Sequence, residues 1–262
     1  MKKEFELIES EKILMRSVGL FSSFCYYKPN NILFDCGDGT AQFLNRKIFA
    51  PNIVALSHCH LDHVGGLPSL IGLRNKTMGD NTKELVIVYP KGDKYFKEFE
   101  EYLLWLFPHH CRKFNIHFVG LEPGEEFKLD KNTFLRPFKT IHTKYSQGYL
   151  VFKKSMGIKK EFQNEETYEK LCNQEINRDE VMEEREIREF AYTLDNCGFD
   201  TKEVEGVQEI VLDCTFLDEK DRHEDSKTHC TKKECEILVD KIKPKKYHLA
   251  HISPRYKNTS EP

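Results

Sequence analysis

Three histidines and an aspartate, His58, His60, Asp62 and His63, fall within six positions of the stretch "VALSHCHLDHVGGLP", directly after an apolar run. "NIVALS" reads as a buried strand, and at its end His58 and His60, two apart, project to the same side. The chain then turns, so adjacent Asp62 and His63 face a second point, with Gly65-Gly66 expected to let the backbone turn sharply into the next element. Imidazoles and a carboxylate without thiolates suit Zn²⁺, Mn²⁺ or iron. Two such points close together suit a two-metal centre. A chance set of surface histidines is the bland alternative, and H-x-H-x-D-H spacing argues against it.

Two ions need more donors than four residues supply. Later apolar runs end in His142 ("KTIHTKYSQGYLV"), Asp213 ("EIVLDCTFL") and His251 ("YHLAHISPRY"), which is where a rigid scaffold presents ligands. Singly, Asp213 reads as a turn cap and each histidine as a hydrogen-bonded strand end. Together they complete two shells of N and O donors.

The elements that must position these residues are legible as short β-type runs, among them "KILMRSVGL", "NILFDCG", "ELVIVYP", "FNIHFVG", "TFLRPFKTIH", "GYLVFKK" and "REFAYTLD". Between them, "DKYFKEFEEYLLWLF" (93–107) carries an amphipathic helical stripe. "THCTKKECEILVDKI" opens with Thr231 and Glu234 in capping-box spacing. Strands with helices packed outside them make an α/β sandwich, read as one domain over 1–262. Residues 153–188 are densely charged and poor in large aliphatics, and are expected to form a helical insertion or loop on the surface.

The chain has 262 residues, a formal net charge of -3, 39% hydrophobic and 12% aromatic residues. A pI near 6.4 argues against a protein held on nucleic acid by its overall charge. Nine cysteines, without any C-x-x-C, and a charged start, "MKKEFELIESEKI", lacking an apolar core read as reduced thiols in a cytosol. No apolar run approaches bilayer length.

With these residues in place the chain resembles the metallo-β-lactamase-fold hydrolases, and among them the RNase Z group. "SHCHLDHVGGLP", "RPFKTIHTKYSQGY", "VLDCTFLDE", "KTHCTKKE" and "AHISPRY" carry the resemblance, from about residue 12 to 257. H-x-H-x-D-H marks the superfamily. The run from His142 to Tyr149 and the closing H-I-S-P-R-Y are more specific, and favour phosphodiesters over lactams or thioesters. The resemblance implies an αββα sandwich and two divalent ions per chain, Zn²⁺ or Mn²⁺. It puts His58, His60 and His142 on one ion, Asp62, His63 and His251 on the other, and Asp213 between them. It makes Asp62 a proton acceptor and places His229 near the scissile phosphate.

Three departures bear on substrate. The Gly/Pro-rich arm with which many tRNA-processing members clamp tRNA is replaced by the charged 153–188 segment. Where a Gly-Asp-Thr usually sits, this chain reads "YTLDNCG" (192–198), with Asp195 expected to take over part of that role. The sequence given stops six residues after Tyr256, without the group's usual C-terminal helix and strand. An intact phosphodiester centre without a tRNA grip is similar to the anti-Pycsar proteins of phages, which are homodimers. It implies hydrolysis of cyclic CMP, UMP, AMP and GMP to linear monophosphates, in a host cytoplasm if phage-encoded. The alternative is a tRNA 3′-end endonuclease. A vestigial binder would have lost a ligand, and none of the seven is missing.

Overall fold

Along the strands that build this molecule, both faces are apolar. In Ile13–Val18, Ile13 and Met15 point one way and Leu14 the other; Phe24 and Tyr26 alternate likewise with Cys25 and Tyr27. Strands covered on both faces read as continuous apolar runs, which is why they are legible as runs rather than as clean alternation. The structure, a computed structural model, describes residues 7–77, 83–173 and 175–258; residues 1–6 of the charged start lie outside these.

Seven strands form the first sheet in sequence order: β1 (Ile8–Glu9), β2 (Ile13–Val18), β3 (Ser22–Tyr27), β4 (Ile32–Phe34), β5 (Ile53–Ala55), β6 (Leu85–Pro90) and β7 (Ile116–Leu121). Pairing is antiparallel from β1 to β4 and parallel from β4 to β7. The second sheet runs β13-β12-β11-β10-β9-β8, from β8 (Phe127–Lys128), β9 (Thr133–Lys139), β10 (Gln147–Ile158), β11 (Met182–Thr193), β12 (Glu209–Asp213) and β13 (Lys246–Ala250). It is antiparallel from β8 to β11 and parallel from β11 to β13.

Between the sheets lie Met15, Tyr27, Phe34, Tyr149, Val151, Phe190, Tyr192 and Val211, all fully or almost fully buried. Phe34 meets Tyr192 with ring centroids 5.1 Å apart and Tyr27 meets Phe190 at 4.5 Å. The outer face of the first sheet is covered by α1 (Thr40–Leu44), α2 (Leu61–Val64), α3 (Leu67–Thr77) and α4 (Lys94–Leu106), through residues such as Leu44, Val64, Leu70 and Phe96. The remaining helices are α5 (Glu165–Cys172), α6 (Arg178–Val181) and α7 (Lys232–Ile242). Ile242 of α7 packs on Leu150, Ile210 and Leu212 of the second sheet. The result is the four-layered αββα sandwich expected.

Both sequence-predicted helices form. Asp93 caps α4 by accepting from the amides of Tyr95 and Phe96, and Thr231 with Glu234 forms a complete capping box on α7. The charged 153–188 segment differs from its expectation. Residues 153–158 and 182–188 extend β10 and β11 as a paired ribbon beyond the sheet, with a short 3-10 turn (Lys160–Phe162), α5 and α6 between them. Cross-strand ion pairs take the place of a buried face there: Arg136–Glu186 at 2.7 Å, Lys153–Glu189 at 2.8 Å and Lys154–Glu126 at 2.8 Å. All nine cysteines are free thiols. Among the described residues no helix is long and apolar enough to cross a membrane.

Candidate metal centre

Strands β5, β11, β12 and β13 end at one edge of the sandwich, and the chain at or just beyond each end carries the predicted donors. His58 follows β5 in a short loop, and His60 is the residue before α2, which carries Asp62 and His63. Gly65 and Gly66 serve close approach rather than the sharp turn expected. Gly65 is in ordinary right-handed conformation, and a Cβ on Gly66 would lie 2.1 Å from the carbonyl oxygen of Gly37. The two backbones touch there, which seats α2 against the β4–α1 loop.

His142 is delivered by the turn between β9 and β10. Ser146 closes that turn, its Oγ donating to the carbonyls of Thr140 and Thr143, both at 3.1 Å. Tyr149 donates to the carbonyl of Leu56 at 2.6 Å, pinning β10 to the end of β5 beside His58. A Cβ at Gly148 would sit 2.6 Å from the ring of Phe138. These contacts account physically for the Ser, Gly and Tyr of the His142–Tyr149 motif.

Two clusters of donors result. His58 Nε2 is 2.9 Å from His60 Nδ1, and His142 Nε2 is 3.3 Å from that same atom. Asp195 Oδ2 lies 3.7 Å from His58 Nε2 and 3.8 Å from His142 Nε2. In the second cluster, Asp62 Oδ2 is 3.5 Å from the Nε2 atoms of both His63 and His251. Asp195 Oδ1 is 3.2 Å from each of those nitrogens. Asp195 therefore joins both clusters, one oxygen to each.

Asp213 does not occupy the place between the clusters that the sequence reading gave it. Its Oδ1 accepts from the Thr215 amide (2.9 Å) and hydroxyl (2.7 Å), and its Oδ2 from the Asn196 amide and His229 Nδ1, both at 2.9 Å. It shares a third group of potential ligands with Asp195, His229 and His251, apart from the two clusters. Its neighbour Asp195 leaves β11 with φ 54°. That left-handed step, tolerated by aspartate, aims its side chain at both clusters.

The hydrogen-bond network fixes which ring nitrogens face inward. Ser57 Oγ donates to Asp35 Oδ2 and so accepts from His58 Nδ1 at 3.0 Å. His63 Nδ1 donates to Asp35 Oδ2 at 2.7 Å. Thr215 Oγ1, donating to Asp213, accepts from His251 Nδ1 at 2.9 Å. Each of these rings is thus left with an Nε2 lone pair pointing at carboxylate oxygens. His63 Nε2 and Asp195 Oδ1 are buried with no hydrogen-bond partner in the structure. Acceptors converging without a donor, on rings oriented by outer carboxylates and hydroxyls, fit a cation.

The carboxylates make the site strongly negative, so it draws protons to its rings as well as cations. Burial pushes His63 down, but the carboxylates of Asp195 and Asp35 outweigh it and hold the ring well above its ordinary value. Burial, then the neighbouring His63, keeps His58 well below its own. Burial lowers His142 to about 4. Asp62 resists burial and stays well below the usual carboxylate range beside the rings of His251 and His63. His229 is opposed by burial yet raised by its bond to Asp213.

Similarity to known proteins covers this frame end to end. The metallo-beta-lactamase superfamily model matches residues 26–132, the part holding the first four donors. A ribonuclease Z of Metallosphaera sedula is 32% identical over 259 residues, 88% of this chain and 81% of that protein. The chain belongs to the RNase Z group of the metallo-β-lactamase superfamily. As such it is a metal-dependent hydrolase. Arabidopsis thaliana tRNase Z TRZ1 is 27% identical over 266 residues, 97% of this chain and 90% of that protein. Human tRNase Z, short form, superposes with a TM-score of 0.65 at 18% identity, covering 92% of each chain.

Within this RNase Z frame, four supporting residues escaped sequence reading. Asp35 is fully buried and holds Ser57, His63 and Tyr192 (2.8 Å) at once. Ser57 and Thr215 orient rings from the adjoining loops, and Tyr192 reaches Asp35 from the second sheet. The available signal was an aspartate closing an apolar run in "NILFDCG", the same signal that marked Asp213.

Proposed function

We propose that the protein is a phosphodiesterase acting on RNA in the manner of ribonuclease Z. Two four-donor clusters sharing Asp195, beside a histidine held by Asp213, carry this reading. His58, His60 and His142 would hold one divalent ion, Asp62, His63 and His251 a second, with Asp195 on both; nitrogen and oxygen donors without thiolate suit Zn²⁺ or Mn²⁺. Ions bound there would supply an activated water at neutral pH and positive charge against the phosphate oxygens. Asp62, ionised and facing the second cluster, accepts the proton given up by the attacking water. His229, its Nδ1 committed to Asp213, carries a proton on Nε2 and gives it to the leaving oxygen as the P–O bond breaks. Its ring lies against His142 and His251, with centroids 4.8 and 5.2 Å away.

RNA is favoured over a cyclic mononucleotide because the relatives named ribonuclease Z and tRNase Z align with nearly the whole chain. They lend the alternative reading more support than cyclic-nucleotide hydrolysis. One observation favours the second reading: Lys153 and Lys154 of β10 are already paired with carboxylates, so that part of the ribbon offers little grip on RNA phosphates. The test is parallel hydrolysis of a precursor tRNA and of cyclic CMP, UMP, AMP and GMP with Zn²⁺ or Mn²⁺. Cleavage of the tRNA near its 3′ end is expected. Ring opening of the cyclic nucleotides with intact tRNA would reverse the order.

A further inference from the structure

We propose that the cleft beside the first donor cluster is a nucleotide subsite, holding a base and a second phosphate next to the scissile linkage, so that the substrate is a linear strand. This rests on the phosphodiesterase reading above and adds the substrate's shape to it.

The cleft, about 710 Å³, opens from His58 and His60 and is walled by Lys94 and Tyr95 at the start of α4 and by Lys144 and Tyr145 of the β9–β10 turn. That volume lies in the range that encloses a small organic ligand. Its two cations are exposed, and neither has an ion pair among the described residues. Nearby Lys91, by contrast, pairs with Glu122 at 3.3 Å. Each ammonium group lies over the neighbouring tyrosine, Lys94 at 5.0 Å from the Tyr95 ring centre and Lys144 at 5.1 Å from that of Tyr145.

Position and chemistry point the same way. Tyr145 lies against the backbone at Gly92, where an added Cβ would be 3.4 Å from its ring. Tyr95 is 62% exposed. The carboxylate of Asp93, only 5% exposed, is spent on the first amides of α4, so anion binding in the cleft falls to the two lysines. A cyclic mononucleotide has a single phosphate, and the metal centre takes it, leaving both ammonium groups unmatched. A linear strand supplies another phosphate for the lysines and a base for a tyrosine, where stacking contributes about 1–3 kcal/mol.

The test compares wild type with Lys94→Ala/Lys144→Ala and with Tyr95→Ala, all exposed positions. Substrates are a fluorescein-labelled single-stranded RNA and bis(p-nitrophenyl) phosphate, which has the scissile group but neither base nor second phosphate. Each variant should lose at least about tenfold more kcat/KM on RNA than on the small diester. In anisotropy titrations the double variant's salt slope should be shallower by about 0.7, the contribution of the one phosphate that the two lysines share. Equal losses on both substrates together with an unchanged slope would overturn the subsite. Because binding is read separately, a protein that cleaved neither substrate would refute the phosphodiesterase reading while the slope still decided the cleft.

Discussion

Asp195 and Asp213 both close apolar runs, both are buried, and they sit on neighbouring strands, yet only Asp195 faces the two clusters. What separates them is local: Asp213 is followed two positions later by Thr215, whose amide and hydroxyl fold back on its carboxylate, an Asx-type turn. Asp195 precedes Asn196 and leaves its strand in the left-handed region. The D-x-T spacing was legible in the sequence; the backbone angle was not, because many sequences satisfy a strand end and few reveal its exit direction. The two should therefore fail differently. Asp195→Asn is expected to lose bound metal, read by elemental analysis after dialysis. Asp213→Asn should keep its metal and lose about 10²–10⁴ in turnover, as removal of a general acid's partner does. Retained metal in Asp195→Asn, or metal loss confined to Asp213→Asn, would restore Asp213 to the bridging place.

At the scale of elements, the longest strand that sequence reading passed over is β3, "SSFCYY". Its residues are all buried, but two serines interrupt the apolar run, and Ser17 and Ser23 meet across the ladder at 2.9 Å. A paired polar couple inside a sheet looks, in sequence, like a turn. The charged segment misled in the opposite sense: its composition suggested loop or helix, while alternate cations and carboxylates pair across extended strands. Since those charges satisfy one another, the ribbon's outer part should be dispensable for chemistry. Replacing residues 157–183 with an Asn-Gly turn, which suits a two-residue hairpin, is expected to leave hydrolysis of bis(p-nitrophenyl) phosphate within about twofold. If tight, salt-dependent RNA binding disappears with that replacement, the ribbon is a substrate grip after all.

For the molecule as a whole, the convergent acceptors at the sheet ends make the metal part of folding. Two carboxylates and several ring nitrogens crowd together there, and cations relieve their repulsion. Bound ions stabilise the folded chain by about 2.7 kcal/mol at a hundred times their Kd. Chelation should accordingly lower Tm by about 5 °C or more, restored by Zn²⁺ or Mn²⁺; an unchanged Tm would mean that the clusters hold nothing. The first sheet is built wholly from residues 8–121 and the second from residues 127–250. His251 is tied back to the first sheet by Ser17, whose hydroxyl accepts its amide at 3.0 Å, and by the Val18–Ile252 bridge. On the ribosome, where folding proceeds from the N-terminal side, the early half would emerge with His58, His60, Asp62 and His63 in place but no partners from the other sheet. Its inner face, with Met15, Tyr27 and Phe34, would stay bare until β10 and β11 arrived. The donor set would therefore stay incomplete in a nascent chain until residues 246–252 had cleared the exit tunnel and joined the two halves.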